Sequence, residues 1–167
     1  MIKNALTPHN WKHIKSVISL AQKSSMYCSI ATVDSNGMPT ITPIGTLFLR
    51  EEIGQAFFFN TYSSTIEHNI SQNPHICIQD VNNSRTFWIK SMLQGLFNNM
   101  PGVRLYGEIK ARRPATSEEL ALVEKRIKAL KWTKGGQLIW SSFSHVHDVD
   151  IQNFKWIEYL YMMPKLD

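Results

Sequence analysis

Apolar residues recur three and four positions apart in three stretches of the chain, and this spacing predicts amphipathic helices. The first helix is expected over residues 8–23, because Thr7 and Pro8 provide a helix cap and a first-turn proline. The other two are expected over residues 64–72 and 117–131, each opened by a Ser/Thr-x-x-Glu pattern that is typical of a capping box.

A fourth amphipathic helix is predicted for residues 85–97, where Phe87 and Trp88 begin a run of large apolar side chains. Such a helix could cover the mouth of a barrel or a partner surface. Packing into the core is the simpler role and the one we expect.

Short apolar or alternating runs between turn residues predict strands. They fall at residues 26–33, 38–49, 56–59, 75–81, 103–112, 138–143 and 154–163. The first two flank Asn36-Gly37, the strongest short signal for a β-hairpin. Pro39 and Pro43 lack the N–H that a sheet ladder needs, so we expect these positions at an edge, a bulge or a ligand.

The predicted elements amount to six or seven antiparallel strands with three or four helices. Hairpin spacing without regular strand–helix alternation favours a closed barrel over a doubly wound sheet. We therefore expect a mainly β chain with flanking helices (α+β), antiparallel and Greek-key-like, forming a single domain over residues 1–167.

The segment 60–65, Asn-Thr-Tyr-Ser-Ser-Thr, is the strongest candidate for chemistry. It follows an apolar strand and precedes a helix for which Ser64 and Glu67 predict the capping box. A helix start has unpaired N–H groups and the positive end of the helix dipole, so it suits a phosphate. The competing interpretation is an ordinary capped helix that follows an edge strand.

The amino-acid composition indicates a globular domain without a membrane span. Of the 167 residues 43% are hydrophobic and 19% charged, which is usual for a globular domain. No apolar run approaches the roughly 20 residues of a membrane span, and the N-terminus has no apolar signal region. We therefore expect a cytoplasmic protein without membrane contact. Its two cysteines, Cys28 and Cys77, fit neither a disulfide framework nor a zinc motif.

The net charge of +5 could attract anions or nucleotides, yet no arginine-rich block is present. Lys110, Arg112 and Arg113 lie near Tyr106, but such a cluster after a strand is more often solvated, so nucleic acid is not expected as a partner.

Residues 144–150, Ser-His-Val-His-Asp-Val-Asp, invite a metal-site interpretation because His145 and His147 would share one strand face. The segment departs from known metallo-hydrolase patterns, and we expect a polar surface loop and no metal. No Ser-His-Asp or Cys-His arrangement can be argued for a nucleophile.

Four segments, taken in this order, resemble the pyridoxamine 5′-phosphate oxidase-like family, the flavin-binding split β-barrels. They are SIATVDSNGMPTITP, FFFNTYSS, ISQNP and IEYLYMMP. The resemblance covers nearly the whole chain. It implies a split β-barrel, FMN held at the interface of a homodimer, and oxidoreductase chemistry on a small-molecule substrate.

The resemblance also implies where the cofactor lies. The flavin ring would run along the backbone near Pro43 and Thr46, and the phosphate would sit between Thr61 and Thr65. The implied cofactor-binding residues are Pro43, Ile44, Gly45, Thr46, Asn60, Thr61, Tyr62, Ser63, Ser64 and Thr65. Catalytic residues are not assigned.

The chain departs from the oxidases proper at the positions that neutralise the phosphate. Ser64, Thr65 and Ile66 stand where those enzymes carry Ser-Arg-Lys, and Thr42 stands in place of an arginine. The C-terminal Arg-x-His pattern is also missing. Four basic residues could compensate: Arg85, Arg104, Lys110 or His68.

We therefore expect a family relative with an unassigned substrate. The alternative is a non-enzymatic protein on the same barrel that has lost FMN and binds haem or another anion. Its iron ligands would come from His9, His13, His68 or His75. A structural dimer with an empty site is a third interpretation.

Overall fold

The computed structural model describes residues 5–61, 63–139 and 142–163 of the chain. In the described residues seven strands alternate irregularly with five helices. In chain order they are α1 (Pro8–Ser25), β1 (Cys28–Val33), β2 (Pro39–Ile44), β3 (Leu47–Leu49), β4 (Gln55–Phe59), α2 (Ser64–Gln72), β5 (His75–Val81), α3 (Arg85–Gln94), β6 (Gly102–Pro114), α4 (Ser117–Ile127), α5 (Lys134–Ile139) and β7 (His145–Trp156).

All seven strands form one antiparallel sheet in the order β2-β1-β5-β6-β7-β4-β3. Strands β2 and β3 lie at opposite ends of this order, yet only residues 45 and 46 connect them along the chain. Two residues span no more than about 11 Å between the flanking Cα atoms, so the sheet must curl until its two ends meet. The expected split β-barrel, antiparallel with flanking helices, is confirmed.

The barrel that was expected in place of a doubly wound sheet is open along one seam. No ladder joins β2 to β3 among the described residues, so the sheet has an open seam at these two strands. The predicted long strand over residues 38–49 breaks at this seam. Gly45 and Thr46 turn the chain from one end of the sheet to the other, and the edge position of β2 accommodates Pro39 and Pro43 as expected.

Two strand predictions near the C-terminus are wrong. Leu138, expected in an extended segment, lies in α5, and the last strand is β7 rather than residues 154–163. Residues 157–163 are irregular. Tyr159 contacts the rings of Trp88 on α3 and of Phe97 just after it, whereas Leu160 and Tyr161 are exposed. Apolar content alone did not distinguish this packing from a strand.

The polar segment 144–150 is correspondingly not a surface loop. It forms most of β7, which pairs with β6 on one side and β4 on the other. His147 is buried and Asp148 is bonded to arginines. Polar side chains are tolerated in a central strand when each finds a partner, and that pairing is set by residues distant in the sequence.

The core has two parts on opposite faces of β4. On one face Phe58 packs with Trp11, Ile14 and other residues of α1 against the inside of the sheet. On the other face Phe57 and Phe59 pack with α4. Successive strand residues point to opposite faces, so the apolar run in β4 is buried on both faces of the sheet. Helices α1 and α4 therefore flank the sheet from two sides.

An ion cluster fixes α4 to the sheet. Glu119, 2% exposed, accepts hydrogen bonds from Arg50 at 2.5 Å and from Arg113 at 2.7 Å, and both arginines also bind Asp148. Burial alone would raise the pKa of Glu119. The bonds from Arg113, the Thr116 N–H and Arg50 outweigh it and lower the pKa to about 2.

A single acidic side chain is buried without such partners. Asp80 on β5 is 2% exposed, and neither of its carboxyl oxygens has a hydrogen-bond partner among the described residues. Loss of hydration raises its pKa to about 8, against the opposing influence of the Val81 N–H and the charge of Arg126. Asp80 is therefore a neutral acid inside the barrel at pH 7.

None of the helices in the described ranges is long and apolar enough to cross a membrane.

Replacing Glu119→Gln will destabilise the fold by roughly 2–4 kcal/mol, since two partly exposed arginines lose their buried counter-ion. The control is Glu118→Gln, on the exposed side of the same turn. Because the folded pKa lies below the ordinary value of 4.5, the stability from Glu119 is present above pH 4.5 and is lost as the pH falls toward 2. Urea unfolding between pH 2.5 and 7 measures both effects; equal stabilities of the two variants would contradict the assignment.

Replacing Asp80→Asn will make the free energy of unfolding depend less on pH between about pH 4 and pH 8. The folded pKa lies above the ordinary 3.8, so the stability that Asp80 contributes is fully present below about pH 4 and is lost as the pH rises to about 8. We expect the wild-type unfolding free energy to fall by at least about 2 kcal/mol across this interval. The decline should be smaller in Asp80→Asn and unchanged in the exposed control Glu52→Gln. If the decline is as large in Asp80→Asn as in the wild type, folding does not raise the pKa of Asp80.

Candidate functional site

A cavity of about 780 Å³ opens at the seam between β2 and β3. Its volume lies in the range of pockets that hold small molecules and cofactors. It is bounded by the end of α1, the β2–β3 link, the start of α2 and the end of α4. The lining residues are Ser19, Gln22, Lys23, Met26, Thr42, Pro43, Ile44, Gly45, Thr46, Phe59, Asn60, Thr61, Ser63, Ser64, Thr65, Arg126, Ile127, Leu130 and Phe143.

Both segments singled out in the sequence line this one cavity. Residues 43–46 all contribute, as do residues 60, 61 and 63–65, whereas Tyr62 lies outside the described residues. The segments are tied together by buried Thr46, whose hydroxyl donates a 2.8 Å hydrogen bond to the Phe59 carbonyl. Two stretches separated by 13 positions therefore form one wall, because β4 returns the chain to the seam.

The hydroxyl-rich loop is shaped by Asn60. Its side-chain oxygen accepts from the Ser63 N–H at 3.0 Å, and its amide donates to the Ser63 carbonyl at 2.9 Å. Ser63 then caps α2 by accepting from the Ile66 N–H at 3.2 Å. The backbone N–H groups of Ser64 and Thr65, in the first turn of α2, have no protein acceptor among the described residues.

The predicted capping box of Ser64 and Glu67 is wrong. The cap is Ser63, one position earlier, since Asn60 folds the preceding turn around it. Glu67 turns away from the cap and accepts from the Asn60 amide at 3.3 Å. The carboxylate also lies 2.8 Å from the ring nitrogen Nε2 of buried His147. Spacing alone could not reveal this contact with a residue 80 positions away.

Gly45 sits where a side chain would crowd the cavity wall. A Cβ at this position would lie 3.1 Å from the carbonyl oxygen of Met26, which ends α1 in the left-handed conformation at φ 67°. That distance is tighter than an ordinary contact. The glycine thus lets α1 approach the seam and keeps the backbone of residues 44–46 accessible from the cavity.

Arg126 is the functional candidate that sequence reasoning missed. From the last turn of α4 its Nη1 donates to the carbonyls of Gly45 at 3.2 Å and Leu47 at 2.7 Å. Its guanidinium lies 3.7 Å from the ring centroid of Phe48. Desolvation lowers the pKa of Arg126, but an arginine remains charged at neutral pH. Its Nε–H and two Nη2–H groups, three of its five donors, bind no acceptor in the described part of the chain.

Every charged side chain that lines the cavity within the described residues is a cation. These are Lys23 from α1 and Arg126 from α4, and no carboxylate joins them. The four basic residues proposed from the sequence as compensation lie elsewhere. Arg104 bonds Gln79 at 2.8 Å and Lys110 pairs with Asp150 at 2.7 Å, while Arg85 and His68 are absent from the lining.

The Arg126 position carried a weak sequence signal. It lies directly before Ile127 in the predicted core stripe of α4, so it had to border the packed face. Nothing local indicated that this helix would pack beside the seam.

The histidines considered as haem ligands do not line the cavity. His13 contacts the Trp156 ring at a centroid distance of 5.0 Å, and His75 lies 3.4 Å from a Glu108 carboxylate oxygen. His9 and His68 are likewise outside the lining. Among the described residues no group of three or more His, Cys, Asp or Glu side chains is arranged to hold a metal ion.

The basic cluster near Tyr106 is also largely engaged. Lys110 pairs with Asp150, and Arg113 binds Asp148 and Glu119, so two of the three charges are neutralised within the protein. The pKa of Asp148 is lowered, chiefly by its hydrogen bond from Arg113. These residues hold strands and helices together rather than presenting an open basic surface.

The arrangement at the seam suits an anionic ligand with an apolar or aromatic part. Two cations, two backbone N–H groups without a described acceptor and several hydroxyls of the lining can contact an anion. Phe59 and Phe143, whose rings meet edge to face at 5.1 Å, supply an apolar wall. The residues present thus fit a phosphorylated cofactor such as FMN.

Solved structures share this fold at low sequence identity. An FMN-binding protein from Syntrophomonas wolfei subsp. wolfei is 14% identical, with a TM-score of 0.59 over 89% of this chain and 88% of that one. The HupZ protein of Group A Streptococcus is 20% identical, with a TM-score of 0.53 over 87% and 92%. HutZ, the haem storage protein from Vibrio cholerae, is 11% identical, with a TM-score of 0.50 over 86% and 94%.

No curated protein matches the sequence significantly. The profile of the pyridoxamine 5′-phosphate oxidase family, however, matches residues 13–150, which include the whole β1–β6 region and both segments that line the seam. The match thus spans most of the chain and agrees with the split barrel and its cavity. On this evidence the chain belongs to the pyridoxamine 5′-phosphate oxidase-like family.

Proposed function

We propose that this protein binds FMN in the seam cavity and acts as an oxidoreductase on a small molecule whose identity is not assigned. One observation carries the proposal: the cavity combines an accessible backbone wall at residues 43–46, a hydroxyl-rich helix start, and charged groups that are all positive. Family membership supports a flavin, and the FMN-binding protein of S. wolfei shares the fold.

In this proposal the phosphate lies at the start of α2. Ser63, Ser64 and Thr65 donate hydroxyl hydrogens, and the free N–H groups of the first helical turn add their dipoles. Asn60 and Thr61 complete the loop that holds it. Neutral donors bind a dianion more weakly than charged ones do, so the field of Lys23 and Arg126 replaces the basic residues missing from this loop.

The ring lies along Pro43, Ile44, Gly45 and Thr46, with Phe59 and Phe143 as the apolar wall. FMN supplies the electron-pair chemistry when bound. The chain supplies position, exclusion of water and charge, and Arg126 is the group best placed to stabilise negative charge on the ligand. Gly45 places no side chain between its backbone and a ring bound in the cavity.

We further propose a homodimer that works in the cytoplasm, with the cofactor beside the interface. Ile41 on edge strand β2 is 70% exposed and Met38, just before that strand, is 64% exposed, and β2 also carries Pro43 of the cavity. An exposed apolar edge beside an open cavity is a favourable place for a second chain. The free cysteines Cys28 and Cys77 are compatible with a reducing compartment.

A non-enzymatic, haem-binding protein is the second candidate. It is favoured by the uncharged residues Thr42, Thr65 and Ile66 at the usual phosphate positions and by the fold shared with HutZ. It requires an iron ligand from outside the described cavity lining, which contains no histidine. Flavin binding therefore has the stronger support.

The purified protein will bind FMN, and FMN will raise the melting temperature because it binds only the folded state. At a concentration of about 100 Kd the gain is about 2.7 kcal/mol of stability. Light scattering on the same sample should give the mass of two chains. Riboflavin, which lacks the phosphate, is the matched ligand and should bind more weakly. No flavin binding together with a Soret band on haem titration would establish the second candidate instead.

Replacing Arg126→Gln will weaken FMN binding by about 10- to 100-fold, as expected when a charge-assisted contact is lost. The control is Lys125→Gln, which removes an exposed charge at the neighbouring position of α4. Because a dianion gains most from a cation, the preference for FMN over riboflavin should fall in Arg126→Gln. Equal losses for FMN and riboflavin would show that Arg126 serves the ring and not the phosphate.

A further inference from the structure

Helix α3 carries large apolar side chains on two opposite sides. On its inner side Phe87 and Trp88 contact the ring of buried Phe97, at centroid distances of 5.6 and 5.3 Å. The Nε1 of Trp88 also donates a 2.6 Å hydrogen bond to the Asn82 carbonyl. The outer side of the helix is apolar too, and no described part of the chain covers it. Since a helix that is hydrophobic all round is normally buried all round, the outer side of α3 needs a partner.

The outer side of α3 continues into the segment after β7. Tyr159 packs on Trp88, and the Phe97 N–H donates to the Met162 carbonyl at 2.8 Å, so this segment runs beside the end of α3. Six side chains, each between 43% and 95% exposed, make up what we call the α3 surface: Ile89, Met92, Leu93, Leu96, Leu160 and Tyr161.

The α3 surface is larger than the apolar patches of a typical monomer. At roughly 150–200 Å² for a fully exposed large side chain, its six residues expose about 600–850 Å². The largest apolar patch on a monomeric protein is about 300–600 Å², and one partner of a standard interface contributes about 800 Å². The α3 surface therefore has the size of one half of a stable protein–protein interface.

The charges around the α3 surface favour a protein partner over a lipid surface. A helix that lies on a membrane has a strongly charged face opposite its apolar face. Helix α3 has only the charged residues Arg85 and Lys90, and its opposite side packs aromatic rings into the protein. Exposed Glu158, next to Tyr159, adds a charge of the other sign. An uncharged centre with both signs at its margin can pack against a copy of itself without repulsion.

The α3 surface lies at the same end of the sheet as the seam cavity. The registers of β1 with β2 and with β5 place the ends of β2 and β5 at one edge of the sheet, and α3 follows β5. The Asn83 N–H, just before α3, donates to the Ser24 hydroxyl in the last turn of α1 at 2.9 Å. Lys23 and Met26, beside Ser24, line the cavity. A chain that covers α3 is therefore also close to the edge strand β2.

We propose that the α3 surface packs against the same surface of a second copy of this chain, with the two α3 helices related by a two-fold axis. The inference rests on the homodimer proposed above and names the helix that holds the two chains together. It requires no ligand in the cavity, so the ligand-free protein tests it.

Light scattering on the ligand-free full chain at micromolar concentration should give the mass of two chains. Leu93→Glu puts a charge at the centre of the contact and should weaken association by at least about 30-fold, so that the mass falls to one chain. Leu93 is exposed in the single chain, so the circular dichroism of the variant should match the wild type. The control Leu122→Glu, the same substitution at an exposed position of α4, should remain a dimer.

A mixture of Leu93→Glu and Leu93→Lys tests whether the surface meets itself. Each variant alone should be a single chain, because like charges meet across the two-fold axis. Mixed in equal amounts, the two should recover the mass of two chains, because opposite charges then meet. A mixture that stays at the mass of one chain would overturn the two-fold arrangement, since α3 would then pack against a different part of the second chain.

Two other outcomes count against the inference. A wild type with the mass of one chain overturns it, and so does a Leu93→Glu variant with the mass of two. If the single-chain wild type binds vesicles of phosphatidylserine and phosphatidylcholine and Leu93→Glu does not, the occupant of the α3 surface is a lipid surface instead.

An FMN titration on the same samples separates this inference from the proposed function. If the wild type binds FMN and Leu93→Glu remains a dimer, α3 is not the contact and the cofactor assignment stands. If no FMN binds but Leu93→Glu has the mass of one chain and the mixture recovers two, the cofactor assignment fails and the α3 contact stands.

Discussion

Two residues join strands from opposite ends of a seven-stranded sheet, and this short connection governs the rest of the architecture. The sheet can satisfy it only by curling through nearly a full turn. Strands β2 and β3 meet without forming a ladder. Backbone N–H and C=O groups at residues 44–47 are therefore not all used in pairing between strands, as they would be inside the sheet. The cavity lies at this point, where α1, α2 and α4 also end or begin.

The cation in the cavity is held by the same seam. Arg126 donates hydrogen bonds to the carbonyls of Gly45 and Leu47 and stacks on Phe48. These contacts fix one end of α4. Glu119, two turns earlier on that helix, binds Arg50 and Arg113 and fixes the other end. A buried ion cluster adds little net stability because desolvation is costly, but it specifies position well. Here it determines where the guanidinium of Arg126 lies.

Charge is also distributed unevenly inside the fold. Asp80 is buried with a raised pKa, Glu119 is buried as a fully paired anion, and buried His147 lies 2.8 Å from a carboxylate oxygen of Glu67. Each state follows from the partners available at the site. The described cavity lining has cations and neutral donors but no carboxylate, although Asp80 interacts electrostatically with Arg126 and Glu67 bonds Asn60 behind the wall.

Local patterns in the sequence determined most of the elements. The capped starts of α1 and α4, the hairpin at Asn36-Gly37 and the apolar run of β4 are decided by neighbours within a few residues, and the resemblance rests on the same local motifs. Residues 43–46 and 60–65 were also identifiable, since prolines, glycine and hydroxyl groups leave backbone groups unpaired.

Only the tertiary structure decided which distant residues meet. It placed Arg126 rather than Arg104 or Lys110 at the seam, moved the cap from Ser64 to Ser63, and joined Glu67 to His147 across 80 positions. The last strand was misplaced for the same reason, since a polar strand is stable only when remote partners satisfy its side chains. Periodicity and capping are short-range properties of the chain, whereas the charge at this site depends on contacts that exist only after the sheet has curled.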